Sequence, residues 1–407
     1  MRRMNPDSNS TARTPRKGAF DAMFLRSALI AAALAMPGIA SAQEHPDEHA
    51  GHDMGHMDHD PAMPEMAHGH AGGHVHSRPD AHAPIGVMAD HTHSKGGFML
   101  AYRIMHMEMG GTQIGSDAID ADTIVTTIPN RFAGMPGQPP TLRVVPKSMR
   151  VDMHMLGGMY APTDWVTLMV MGSYLMKEMP HQTYQGGVGT TVLGSFETSA
   201  DGFGDTSVLG IFPLVDDASL SLNVNAGVSV PTGSTTETGE VLTPMNMQPT
   251  LRLPYPMQLG SGTWDILGGT TMAGHSGEFG WGAQYKAVIH TGTNDQGYRL
   301  GDSHSATAWV SYTLAPWVSV SLRGAGKTVG TIHGIDPAIV APVQTADPDN
   351  YGGDRLDAFL GANLLATGGS LRGYRLGLEL GLPVYQDLNG PQLKGKWSFM
   401  AGVQKAF

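Results

Sequence analysis

The stretch Ser219-Leu220-Ser221-Leu222-Asn223-Val224-Asn225-Ala226-Gly227-Val228-Ser229-Val230 decides the fold. Leu220, Leu222, Val224, Ala226, Val228 and Val230 fall on one face, and Ser221, Asn223, Asn225, Gly227 and Ser229 on the other. A repeat of two residues is the signature of a strand whose faces meet different surroundings. The same alternation recurs downstream. Leu376, Leu378, Leu380, Leu382 and Val384 oppose Arg375, Gly377, Glu379 and Gly381. Leu356, Ala358, Leu360, Ala362 and Leu364 oppose Arg355, Asp357 and Asn363, and Val318, Val320 and Leu322 oppose Ser319, Ser321 and Arg323. The second face is too polar for the core of a soluble sandwich or propeller. It suits a wet lumen, with the aliphatic face towards lipid.

Working outward, short and long connections alternate. The short ones centre on residues 161–164, 215–218, 274–277, 314–317 and 367–370. The long, polar ones cover roughly 111–147, 179–202, 232–261, 292–301, 329–353 and 386–394. Transmembrane barrels have short periplasmic turns and long outer loops. The expectation is an all-β, antiparallel transmembrane β-barrel of about 12 strands over residues 96–407. It includes strands at 165–178 and 203–214, and both ends in the periplasm.

Composition agrees. Charged residues are 15% of the 407, glycine numbers 54 and cysteine is absent. Without disulfides, stability has to come from backbone pairing, packing or lipid. A formal charge of −11 excludes nucleic acid as a partner, because phosphates call for a basic face. Residues 1–42 read as a signal peptide: Arg26, the apolar run Ala28–Met36, then Ala40-Ser41-Ala42 for cleavage. The stretch ahead of Met23 is long for such a signal, so Met1 and Met23 both stand as start sites. No later stretch has the 18 continuous apolar residues of an inner-membrane helix.

Residues 43–95 form a segment of different texture, expected to be disordered and periplasmic. It holds twelve of the 19 histidines: His45, His49, His52, His56, His59, His68, His70, His74, His76, His82, His91 and His93. Met54, Met57, Met63, Met66 and Met88 accompany them. Imidazole suits Cu(II), Zn(II) and Ni(II), and thioethers favour Cu(I). A His/Met mixture without Cys therefore points to transition-metal ions, copper as Cu(I) and Cu(II) above all. The bland reading is a solvated linker. Flexible ligands lose freedom on binding, so modest affinity for several ions is expected.

Methionine also crowds the first strands, with 13 between Met99 and Met179. Phe98, Leu100, Tyr102 and Ile104 are read as lipid-facing, which turns Met99, Arg103, Met105 and Met107 inward. Val166, Leu168 and Val170 likewise turn Met169 and Met171 inward. In the second strand Arg150, Asp152 and His154 are assigned to the lumen, leaving Met149, Met153 and Met155 to lipid. Arg323, Arg355, Asp357, Arg375 and Glu379 complete the candidate luminal set, with Asp205, Asp265, Lys286 and Lys327 as further inward charges. Methionine as a flexible apolar filler is the competing account of the stripe.

The chain ends on Trp397, Phe399, Ala401, Val403, Lys405 and Phe407, which share a face. This resembles the terminal strand of outer-membrane barrels, and the resemblance implies recognition by the barrel assembly machinery. Lys405 departs from the pattern, which has an apolar residue two before the end. Three further stretches carry a family resemblance: Ala83-Pro84-Ile85-Gly86-Val87-Met88 with Asp90-His91-Thr92-His93; Asn294-Asp295-Gln296-Gly297-Tyr298-Arg299-Leu300-Gly301-Asp302; and Gly381 to Gln392. They resemble a proteobacterial group of outer-membrane transporter-like barrels related to the phenol meta-degradation family, over about residues 83–407. That resemblance implies uptake of hydrophobic or aromatic solutes. The His/Met tract resembles copper-resistance outer-membrane barrels in composition. Ser, His and Asp occur at no hydrolase spacing, so no enzyme is expected. The leading expectation is an outer-membrane channel or transporter with a periplasmic metal-binding arm for copper or another transition metal. The alternatives are a passage for small hydrophobic or aromatic solutes, with the arm incidental, and a non-conducting structural barrel.

Overall fold

A computed structural model describes residues 78–217 and 219–407. The signal and the tract residues before 78 lie outside them. Eleven antiparallel strands form a closed ring among the described residues. They are β1 (Phe98–Gly115), β2 (Ser148–Thr163), β3 (Val166–Tyr184), β4 (Thr206–Asp216), β5 (Leu220–Val230), β6 (Asp265–Ser276), β7 (Phe279–His290), β8 (Ser303–Ala315), β9 (Val318–Val329), β10 (Gly353–Leu365) and β11 (Tyr374–Ala406). The last has 33 residues. Its Leu388 lies opposite both Gly353 of β10 and Gly115 of β1. β11 therefore doubles back at Asn389-Gly390 and crosses the wall twice, giving twelve crossings. The polar loop expected over 386–394 is strand throughout. Gly390 makes the sharp reversal possible: its φ is +103°, and a Cβ there would stand 2.2 Å from Asn350 Oδ1.

Lipid offers no partner for backbone N–H and C=O groups, so a spanning sheet has to close. The seam closes on the last residue. Phe407 N–H donates to Phe98 O at 2.7 Å, and Phe98 N–H donates back at 3.3 Å. Lys405, the odd residue of the terminal pattern, sets its ammonium over the rings of Tyr374 (4.4 Å) and Phe407 (5.2 Å). A cation over aromatic faces is accommodated where a bare one is not. Large apolar side chains stand outward along the ring, among them Leu156, Leu168, Leu322, Leu360 and Leu382. Trp165 and Phe212 stack at the short-turn end, where Phe279 also packs on Tyr312. Aromatic residues at that level mark a membrane interface.

Two expectations about β2 and β3 are corrected. Arg150, Asp152 and His154 lie on the outward face with Leu156 and Tyr160, while Met149, Met155 and Met159 are buried inside. The apolar pair fixes the phase of the strand, and the polar residues find partners sideways. His154 Nδ1 meets Tyr102 Oη at 2.7 Å, His106 Nδ1 meets Asp152 Oδ1 at 2.6 Å, and Arg150 pairs with Glu178. Residues 179–202, expected as a loop, continue β3 into a hairpin. Tyr174–Tyr184 pair with the arm Val192–Phe203, while Thr167–Met171 pair with β4.

The long loops fold into a cap with its own core. Phe132, Tyr255, Tyr298, Ile332, Ile339 and Val343 come from four different loops and are all buried. A short helix, α1 (Ala121–Thr127), is capped by Asp120, whose carboxylate accepts from Thr123 N–H. Arg143 is fully buried, with its guanidinium over the Tyr184 ring, and its hydrogen bonds go to backbone carbonyls. It donates to Gln185 O (2.7 Å), Gly186 O (2.9 Å), Val188 O (3.2 Å) and Gly189 O (2.7 Å), pinning the tip of the β3 hairpin. A lysine has one nitrogen and cannot reproduce that fork. Arg143→Lys should therefore loosen the 185–189 turn, at a cost of roughly 3 kcal/mol. Limited proteolysis should cut there faster, while the barrel strands stay protected.

Candidate functional site

Residues 78–95, assigned from sequence to a disordered segment, run through the lumen instead. The polar faces of the strands satisfy their backbone. Asn223 of β5 donates to Asp90 O (3.0 Å), Thr271 of β6 to Ala89 O (3.3 Å), and Gln284 of β7 to Met88 O (2.6 Å). Arg375 of β11 donates to Arg78 O (2.7 Å), and Thr167 of β3 accepts from His93 N–H (2.9 Å). Buried backbone groups need such partners, and the wall supplies them from six strands, Asn363 of β10 donating to His82 O (3.4 Å) as well. Ile85 and Val87 add apolar anchors, both nearly fully buried. These aliphatics are rare in residues 43–95 and were the available sign that this part docks.

The tightest contact is at Gly86. Its N–H donates to Glu379 Oε2 at 3.0 Å, and a Cβ there would stand 2.4 Å from both that oxygen and Arg323 Nη2. Arg323 and Glu379 form a buried two-point pair, Nε–Oε1 2.7 Å and Nη2–Oε2 2.8 Å, with the guanidinium 3.7 Å above the Phe359 ring. Parallel hydrogen bonds and ring stacking are the geometry for which Arg is suited. Arg355 pairs along its own strand with Asp357 (2.6 Å). These luminal charges are thus paired with one another inside the barrel.

The tract histidines and methionines before residue 78 (His45 to His76, Met54, Met57, Met63 and Met66) lie outside the described residues. Three histidines of the set are placed, and they converge. His82, Asp90 and His91 each bring a ligand atom within 4.8 Å of the others. His91 Nδ1 meets Asp90 Oδ1 at 2.8 Å, and His82 Nδ1 stands 4.0 Å from Asp90 Oδ2. The rings of His82 and His91 are 4.1 Å apart, and those of His91 and His93 4.9 Å. A polar cavity of about 160 Å³ opens on the group.

Beside it, Met88, Met99, Met155, Met159, Met169, Met171 and Arg103 line a small cavity with Asp90 and His91. Met99, Met159 and Met169 are direct neighbours across β1, β2 and β3. Towards the cap the lining continues with Met105, Met107, Met109, Met149, Met153 and Met179, against Leu253 and Met257 of the loop after β5. The β2 methionines, read as lipid-facing, thus complete the inner stripe.

A separate cavity lies in the cap, about 380 Å³ in volume. Val144, Phe196, Leu242, Leu251, Val340 and Val343 line it, and His181 stacks on Phe196 at 4.7 Å. Arg252, also on its wall, is drawn away to Asp336 (3.0 Å). No sequence motif announced this pocket, because its residues come from four separate loops.

No family model matches the sequence, and no curated protein matches it. Solved structures do. An outer membrane channel from Pseudomonas putida F1 is 14% identical, with 78% of this chain and 97% of that one covered, at a TM-score of 0.48. The transport unit of the autotransporter AIDA-I from Escherichia coli is 11% identical, covering 79% and 93%, at 0.42. The Pseudomonas putida toluene transporter TodX is 10% identical, covering 77% and 91%, at 0.36.

Proposed function

We propose that the protein is a passage in the Gram-negative outer membrane for small hydrophobic or aromatic solutes, with the cap cavity as its capture site and residues 78–95 as an internal plug. The observation that carries this reading is the lining of the cap cavity: aliphatic and aromatic side chains from four loops, with room for one or two rings. An apolar pocket of that size, held open by a folded cap, is a poor site for an ion or a sugar. The methionine stripe supports the reading. Unbranched thioether side chains adapt to solutes of different shape and offer no fixed polar group. The plug accounts for part of the polar luminal wall, since Asn223, Thr271 and Gln284 are engaged with its backbone. Copper handling through the histidine tract stays a second reading, favoured by the convergence of His82, Asp90 and His91.

Two outcomes follow. Leu242→Arg places a charge in the cavity. Uptake of radiolabelled toluene at low concentration should fall at least about tenfold in cells carrying it, because the burial penalty of an unpaired charge exceeds 1.4 kcal/mol. Uptake equal to wild type discards the capture site. Gly86→Val drives a side chain into the Arg323–Glu379 pair. The plug should lose its anchor, and planar-bilayer recordings should show larger or more frequent openings; unchanged traces would mean that residues 78–95 do not gate.

A further inference from the structure

We infer that His82, Asp90 and His91 form a binding site for one divalent first-row transition ion, such as Zn(II), and that the bound ion locks the plug inside the lumen. This goes beyond the passage of solutes and does not depend on it. Two imidazoles and a carboxylate are a ligand set for Zn(II) or Cu(II), and here one ligand atom of each lies within 4.8 Å of the others. His91 Nε2 is buried and makes no hydrogen bond. Its Nδ1 meets Asp90 Oδ1 at 2.8 Å, so the imidazole and the carboxylate are already held side by side. Asp90 is itself held, by Ala83 N–H at 2.9 Å and through its backbone by Asn223. The 160 Å³ polar cavity borders all three residues and has room for water beside them.

The surrounding charges select the class of ion. Arg103 and Arg375 both act on Asp90, so the pocket has no surplus of negative charge. Hard cations such as Ca(II) and Mg(II) depend on several oxygen ligands and that surplus. An ion held by nitrogen donors does not.

The position in the chain gives the consequence. His82 lies before the docked turn Ala83–Ala89, and Asp90 and His91 lie after it. A metal bridging the two legs closes a short loop whose apex is Gly86, seated on Glu379. Withdrawal of the plug then requires loss of the ion as well as of the wall contacts, and the ion's affinity adds directly to the closed state.

The test uses the full chain in detergent. It has no cysteine, so Val87→Cys, buried in the docked turn, gives one reporter thiol. Zn(II) should slow its reaction with a maleimide at least about tenfold, the effect of an added 1.4 kcal/mol on the closed state. With His82→Ala and His91→Ala added, the protection should vanish, and equilibrium dialysis should show one zinc ion fewer. The upstream histidines are the same in both proteins and cancel. Equal protection in both proteins, no protection in either, or unchanged zinc stoichiometry overturns the proposal. Should the double variant not assemble, His82→Ala alone is read in the same way. Toluene uptake is a separate measurement, so failure here leaves the solute reading intact.

Discussion

Backbone hydrogen bonding without water is the constraint from which this structure follows. A strand in lipid has to pair on both edges, and the ring closes at Phe98 and Phe407, the first residue of the first strand and the last of the chain. Closure creates an interior and fixes which face of each strand looks into it. That interior then has its own requirement. Asn223, Thr271, Gln284 and Glu379 point to the centre, and polar groups enclosed there need partners. Residues 78–95 supply them: a chain with few apolar side chains offers its backbone, and the wall reads it as a ladder of carbonyls and amides.

The barrel was legible because alternation is a local signal with a physical cause. In β5, β10 and the first half of β11, aliphatic and polar residues change places at every step. The phase of β2 was not legible in the same way. Arg150, Asp152 and His154 look like luminal residues until their neighbours are known. Tyr102, His106 and Glu178, on the two adjoining strands, take up their polarity from the side. Such cross-strand pairing depends on register, which one strand's sequence does not contain.

The candidate site was legible in part. The histidines at 82, 91 and 93 stood out as ligands, yet composition grouped them with the upstream tract as one flexible segment. Their meeting with Asp90 depends on a left-handed residue, Ala89 with φ +58°, just before it. The cap cavity left no trace in the sequence. Its lining is shared among loops tens to hundreds of residues apart, and the loops read as polar because their apolar members are sparse. Arg143 illustrates the difficulty: a lone basic residue in a loop suggests solvent, but here it gathers four carbonyls of one turn.

The plug is joined directly to β1, only a few residues ahead of Phe98. It therefore leaves the ribosome before any part of the wall, whereas its resting place exists only after the C-terminal residues arrive at the seam. Docking and sealing of the cylinder are consequently bound together in time: either the segment is already inside when Phe407 meets Phe98, or it must thread in afterwards.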